Sequence, residues 1–451
     1  MMFRTLALAT TGLVSLAASA AHAQTTEGPD GTDAPANEAT IMVTAQLRVQ
    51  DPVDVPMTLS VLDEKELDRF GIEEFDELSR FVPGFEVQNQ SPNNPGFVMR
   101  GITSDSGTAT NEPRVSVYQD GVSISKSRGS YVELFDVERI EVAKGPQSTL
   151  YGRGALIGAV NIIQNKAHLG EGELFGKLSY GNFDARTFEG MVNAPIGDNV
   201  ALRVSGRIRE RDGYVENLLG GRDYNSADTK AIRGAFRAET GGLTVDVIGN
   251  YQKDQPAGTS FKSIAYNPTD PVTGAVLGDT DRNSGAALAA ASDFPDGNRL
   301  GLDREVWGVT GIANLELNDR FKLTSTSAYR RFDALEIFDA DGISLPLLTA
   351  AEDAQGKQFS QDLRLNFDNG PVSFESRTSL ENNVSGRRVE FRRSAPGGVV
   401  IFSGLPSYSS MRFMMPFDSR PVAGELEVVF TSQVFDNIDS VLRVSVNGEK
   451  R

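Results

Sequence analysis

The stretch from Val117 to Ile163 constrains the fold of this 451-residue chain most, because it sets turn and strand signals in an order few architectures share. Asp120-Gly121 separates the runs Val115–Val117 and Val122–Ile124, and an Asp-Gly pair between alternating runs predicts a tight β-hairpin. Glu138 to Val142 alternates charged with apolar residues. Lys144-Gly145-Pro146 then ends that strand, since proline has no backbone donor and glycine tolerates turn dihedrals. A second strand, Ala159 to Ile163, follows a glycine-rich turn that carries Gly152 and Gly158.

Upstream, Val55 to Leu62 reads as a strand. Asp63 with Glu66 three positions later is a capping box that opens a helix. A second short helix, Glu73 to Arg80, is stopped by Val82-Pro83-Gly84. From Leu169 onward the texture becomes repeated strands. Val200, Leu202, Val204, Gly206 and Ile208 fall on one face, and Arg203, Ser205, Arg207 and Arg209 on the other, which fits lipid outside and water inside a β-barrel, although a strand of an ordinary sandwich alternates in the same way. Short turns (195–199, 241–242, 318–320, 368–371) alternate with long loops (210–228, 252–303, 332–354), the periplasmic and extracellular pattern of such a barrel. Tyr180, Tyr251 and Tyr329 are expected near strand ends, as an interfacial girdle.

The first residues predict export. Arg4 precedes an apolar, small-residue run from Leu6 to Ala18, and Ala21-His22-Ala23 has the small-x-small form read by signal peptidase, so 1–23 reads as a signal peptide. Residues 24–38 are polar, bear proline and glycine, and lack period, which predicts a disordered tether. No later apolar run reaches the about 20 residues of a membrane helix. A mean hydropathy of -0.27 is compatible with strands that cross a membrane by alternation.

Composition removes several classes of function. There is no cysteine, and of the two histidines only His168 lies beyond the signal peptide, so a zinc site, a His-dependent triad or a haem pocket has almost no ligands to draw on. A net charge of -17 argues against a nucleic-acid partner. The glycines from Gly152 to Gly158 have a spacing near that of a dinucleotide loop but lead into a strand instead of a helix. No catalytic residue, metal ligand or cofactor is indicated.

The order VERIEVAKGP followed by TLYGRGALIGAVNII resembles the plug domain of TonB-dependent outer-membrane receptors, with Gly158-Ala159 where the family has paired glycines. The resemblance implies an α+β plug over 49–168, followed by an antiparallel transmembrane β-barrel over 169–451 at the cell outer membrane. It implies that Ile41, Met42, Val43, Thr44 and Ala45, at the end of a tether over 24–48, form the TonB box, which pairs with an energy-transducing protein by adding a strand. The same residues could instead be the first strand of the plug. It further implies that Arg100 and Arg139 pair with barrel-wall glutamates, and that Asp120, Gly121, Lys144, Gly145, Pro146, Gly152 and Gly158 shape the plug's turns. The implied function is energy-coupled uptake of a small-molecule or metal-chelate ligand, a ferric siderophore first among them.

The strand signals number about 12, whereas barrels of 22 strands hold a plug. The barrel is therefore expected to be incomplete, and a truncated, non-transporting product is the alternative reading.

Overall fold

A computed structural model describes Val43, residues 50–88, 91–103, 112–148 and 154–258, parts of 261–300, then 301–339, 342, 348–368, 372–393, 429–432 and 438–446. The signal peptide, the tether apart from Val43 (and so the box residues Ile41, Met42, Thr44 and Ala45), and Gly152 lie outside the described residues.

The N-terminal part is an α+β unit. Strand β1 (Thr58–Asp63) runs into helix α1 (Glu64–Phe70), and the Asp63–Glu66 capping box forms as the sequence predicts, with Asp63 Oδ1 accepting from Glu66 N at 2.8 Å. Gly71 ends α1 in the left-handed region at φ 65°, and helix α2 (Phe75–Phe81) follows. Strands β2 (Phe85–Gln88), β3 (Gly96–Met99) and β4 (Ile102–Thr103) form a small antiparallel sheet. The main sheet is completed by β5 (Val115–Gln119), β6 (Val122–Ile124), β7 (Val137–Lys144) and β8 (Gly158–Gln164), in the order β1-β7-β8-β5-β6.

The β5–β6 turn is the expected hairpin, with Asp120 and Gly121 both at positive φ, 51° and 78°. Phe75, Leu78, Met99, Val117, Ile140 and Val160 meet between the helices and this sheet in one closed apolar core. Gly158 departs from the turn reading. It is the first residue of β8, and a Cβ there would lie 2.9 Å from the Ala143 carbonyl oxygen and 2.9 Å from Met99 Cε. Glycine is required by close packing across the sheet.

A second sheet wraps this unit. Its strands are β9 (Glu173–Gly181), β10 (Ala185–Pro195), β11 (Val200–Arg211), β12 (Ala227–Thr240), β13 (Leu243–Asp254), β14 (Gly301–Asn318), β15 (Phe321–Asp339), β16 (Leu348–Asp368) and β17 (Val372–Arg393), with the shorter β18 (Val429–Ser432) and β19 (Ile438–Val446) beyond. From β9 to β17 each strand pairs antiparallel with the next, and β19 joins β17, which makes 11 strands among the described residues against the roughly 12 read from sequence.

The outer face is apolar: Leu174, Leu178 and Tyr180 on β9, Val192 on β10, Val204 on β11, Ile232 on β12 and Val247 on β13 are all exposed. That is the lipid face the alternation predicts. The inner face is corrected. Arg203, Ser205 and Arg207 are buried against the α+β unit, so that part of the wall faces protein where the sequence suggested water.

Two further expectations change because β14 to β17 run to 18, 19, 21 and 22 residues, about twice a membrane crossing. Residues 332–339 and 348–354, expected to belong to a loop, lie in β15 and β16. Tyr180 and Tyr251 are near the ends of β9 and β13, whereas Tyr329 lies in the middle of β15. Tyr251 pairs across the sheet with Trp307 and Tyr329 with Phe359, while Trp307 and Tyr329 rings lie 5.3 Å apart. A lower row is marked by Phe321 and Phe367, 4.8 Å apart. From Phe321 to Tyr329 the strand advances roughly 26 Å, and a tilt of about 40° turns this into a height close to an outer-membrane apolar band. The girdle is therefore present at mid-strand, with charged wall above it.

Candidate functional site

Between β6 and β7 the chain runs from Ser130 to Asp136 without a strand partner. Buried carbonyls in such a segment must find donors elsewhere. The wall supplies them as arginines at alternate, inward positions of β11, β12, β14 and β15.

Arg330 Nη2 donates to the Gly129 carbonyl at 2.9 Å, and Arg304 donates to the carbonyls of Arg128 and Tyr131 at 3.1 and 2.6 Å. Arg207 donates to Leu134 O at 3.3 Å, and Arg233 to Phe135 O and Asp136 O at 2.9 and 2.7 Å while its guanidinium lies 4.6 Å over the Phe135 ring. Asp136, at φ 49°, receives Arg203 through both carboxylate oxygens at 2.6 to 3.1 Å. Gln252 adds an acceptor for Glu133 N at 3.1 Å. Each guanidinium offers several donors in a fixed fork, which is why arginine can satisfy two carbonyls, or a carbonyl and a carboxylate, at once.

The gripped segment also reaches outward. Arg128, buried, pairs with Glu352 of β16 at 2.7 Å through Nη2, with its Nε on the same carboxylate at 3.1 Å. Asn93 donates to Glu336 of β15 at 3.0 Å, and Ser125 donates to Gln358 of β16 through both its N–H and its hydroxyl. Lower on the wall, Glu73 and Glu74 at the start of α2 meet Arg207 and Arg209 at 2.9 and 2.5 Å. Next to this contact lies a cavity of about 100 Å³ between α1 and strands β9 to β11, lined by Glu64, Phe175, Glu189 and Arg203 among others, which is room for a few waters.

Burial would raise the Asp136 carboxyl, but the Arg203 hydrogen bond and the Arg233 charge outweigh it, and the group sits below the usual carboxylate range. Glu74 goes the other way. Burial pushes it up to about 7, with Glu133, Asp76 and Glu77 adding to the rise against the pull of Arg209. Tyr131 is raised by burial and then by Glu74 and Asp76.

Of the residues singled out from sequence, Val43 is buried and forms an isolated antiparallel bridge with Gln50, its N–H donating at 2.9 Å and its carbonyl accepting at 3.0 Å. The described contacts of Arg100 and Arg139 lie inside the α+β unit. Arg100 donates to Thr58 Oγ1 at 3.1 Å, and Arg139 pairs with Glu138 and, along its own strand, with Glu141. Among the described residues, an arginine-to-wall-glutamate pair is made by Arg128 with Glu352, in an aperiodic segment that carries no sequence signal.

Asp120 Oδ1 accepts from Gln164 N and from Lys166 Nζ, which ties the hairpin to the end of β8. Gly145, at φ 112°, donates to the Ile157 carbonyl. Lys144 lies near Arg100, and burial followed by that like charge lowers its ammonium. Pro146 follows in the turn.

Residues 51–159 match the family model for the TonB-dependent receptor plug domain. The chain is 24% identical over 336 residues to a probable TonB-dependent receptor of Bordetella pertussis, covering 72% of this chain and 40% of that one. It is 27% identical over 292 residues to a probable TonB-dependent siderophore receptor of Acinetobacter baumannii, covering 62% and 35%. A ferric enterobactin receptor of Pseudomonas aeruginosa is 29% identical over 222 residues, covering 45% and 29%. Among solved structures, the ferric yersiniabactin uptake receptor of Yersinia pestis superposes with TM-score 0.61 at 18% identity, over 75% of this chain and 50% of that receptor. The ferripyoverdine receptor of Pseudomonas aeruginosa gives 0.60 at 16%, over 79% and 46%. The chain thus spans about half the length of these solved receptors.

Proposed function

We propose that this chain, a TonB-dependent receptor by its plug and by the outer-membrane wall strands around it, serves the uptake of an iron chelate, driven by a TonB-type protein that pulls on Ile41 to Ala45. The family is one of transport receptors, not enzymes.

The observation that carries the reading is the chemistry of the seam between plug and wall. The plug keeps its apolar core to itself, and guanidinium, carboxylate and carbonyl groups do most of the holding. Water can replace polar contacts one at a time, each worth about 1 kcal/mol net, whereas separating an apolar seam exposes area at about 25 cal/mol per Å² with nothing in return. A stopper that must leave and reseat is served by the first kind of seam. The two backbone bonds between Val43 and Gln50 support the coupling step, because a partner that adds a strand would compete for those same groups. An iron chelate is favoured over other solutes by the siderophore and ferric enterobactin receptors among the relatives.

The test is accumulation of radioiron, supplied as ferric enterobactin or ferripyoverdine, in cells that lack their own receptors and carry this chain. Uptake that stops with a protonophore or on deletion of 41–45, while surface binding persists, is the expected result. Surface binding without energy-dependent uptake in the unaltered chain would instead support a plug and wall that do not transport.

A further inference from the structure

The contact between α2 and the wall holds more acid than base. Four carboxylates, Glu73, Glu74, Glu133 and Glu189, share three cations, Lys177, Arg207 and Arg209, in one connected network. From α2 itself, Asp76 and Glu77 add negative charge nearby, although Asp76 leans toward Arg80 at 3.7 Å and Glu77 accepts from the N–H groups of Glu73 and Glu74. Glu133, Arg207 and Tyr131 are buried, and the Tyr131 hydroxyl, Glu133 Oε2 and the Nε atoms of Arg207 and Arg209 have no hydrogen-bond partner among the described residues. A buried network with one carboxylate in excess of its cations is relieved by taking up a proton. Glu74 is the member placed to accept it, since its side chain is 21% exposed against 2% for Glu133.

We propose that Glu74 is a proton-operated latch: the plug sits on β11 with this carboxyl protonated and loosens from the wall as the proton leaves. The latch concerns how the plug is held and does not depend on which solute is taken up.

The direction follows from burial, which raises Glu74 from an ordinary value near 4.5 to about 7 in the seated plug. A carboxyl raised in the seated state binds more protons there than in the released state. The contribution of Glu74 to seating is therefore greatest below the ordinary value, weakens as pH climbs between the two values, and levels off above the higher one. Between pH 5.5 and 7.5 the opening equilibrium should rise roughly tenfold or more.

The chain has no cysteine, so a single thiol can report on the seam. Ser205, on β11 and buried against the plug, becomes a cysteine in Ser205→Cys with little change of size. In the full chain folded into lipid vesicles, its maleimide labelling rate is divided by the rate of the urea-unfolded protein at the same pH, which removes the thiol's own titration. The expected result is protection that falls about tenfold from pH 5.5 to 7.5 and becomes flat when Glu74→Gln is added. Flat protection in the parent, or a slope that survives Glu74→Gln, would overturn the latch. Should Glu74→Gln not fold, Asp76→Asn decides alone: removing that neighbouring charge must move the midpoint to lower pH and shrink the fall in protection, and an unmoved midpoint counts against the proposal.

Discussion

Asp136 is where the plug's backbone, the wall and the charge pattern meet. Its positive φ is tolerable for aspartate, and the Arg203 fork closes on both oxygens with little exposure on either partner. Cutting one partner of such a pair leaves the other charge buried, at about 3 to 5 kcal/mol. Asp136→Asn should fall near the low end, because Arg203 keeps Glu173 at 2.9 Å. A thermal unfolding midpoint unchanged by Asp136→Asn in detergent would refute this. Asp136, lowered in the folded state, stabilises above the ordinary carboxylate range and loses its contribution on acidification, the opposite slope to Glu74. The arginines of β11 were legible as one face of an alternating strand, but period two names a face and not its occupant. That they grip protein, and that Arg128 is the one reaching back to Glu352, needed the fold.

Among the elements, those set by neighbouring residues are legible in the sequence. The β5–β6 hairpin and the α1 cap are set by a few adjacent residues, and both form. Gly158 is not legible in the sequence, because glycine looks the same whether it supplies a turn or makes room. Strand β8 lies between β7 and β5, and the atom in the way of a Cβ is a backbone oxygen, which cannot rotate aside. Gly158→Ala is therefore expected to cost about 1 to 3 kcal/mol by overpacking, read as a lower urea midpoint at unchanged slope. Gly176→Ala, at an outward position with open space where a Cβ would go, serves as the control and should leave the midpoint nearly where it was. Equal midpoints for the two variants would show that the close approach at β8 does not matter. The extension of β15 to Asp339 was hidden for a related reason: past Tyr329 the outer positions become Arg331 and Asp333, so the apolar alternation that marks a strand fades while the hydrogen-bonded ladder continues.

At the scale of the molecule, the two aromatic rows divide the wall into a part that meets hydrocarbon and a part that stands above it. The same outward position along a strand should then have very different tolerance at the two depths. Val204 on β11 is outward, paired with Val192 and Gly234, and midway up the band. An arginine there has no water to reach, and Val204→Arg should destabilise the wall by about 2 to 4 kcal/mol in lipid vesicles. Gln355 on β16 is also outward and exposed, but it lies beyond Phe359 and next to Asp333 across the ladder, among charged neighbours. Gln355→Arg changes the surface charge without burying it, and should stay within about 0.5 kcal/mol. Urea titration of both variants in the same vesicles separates the cases, because the geometry of the position is matched and only depth differs. Similar losses for the two would mean that the mid-strand aromatics do not mark the edge of the membrane, and that the charged upper wall is no less buried than the band below it.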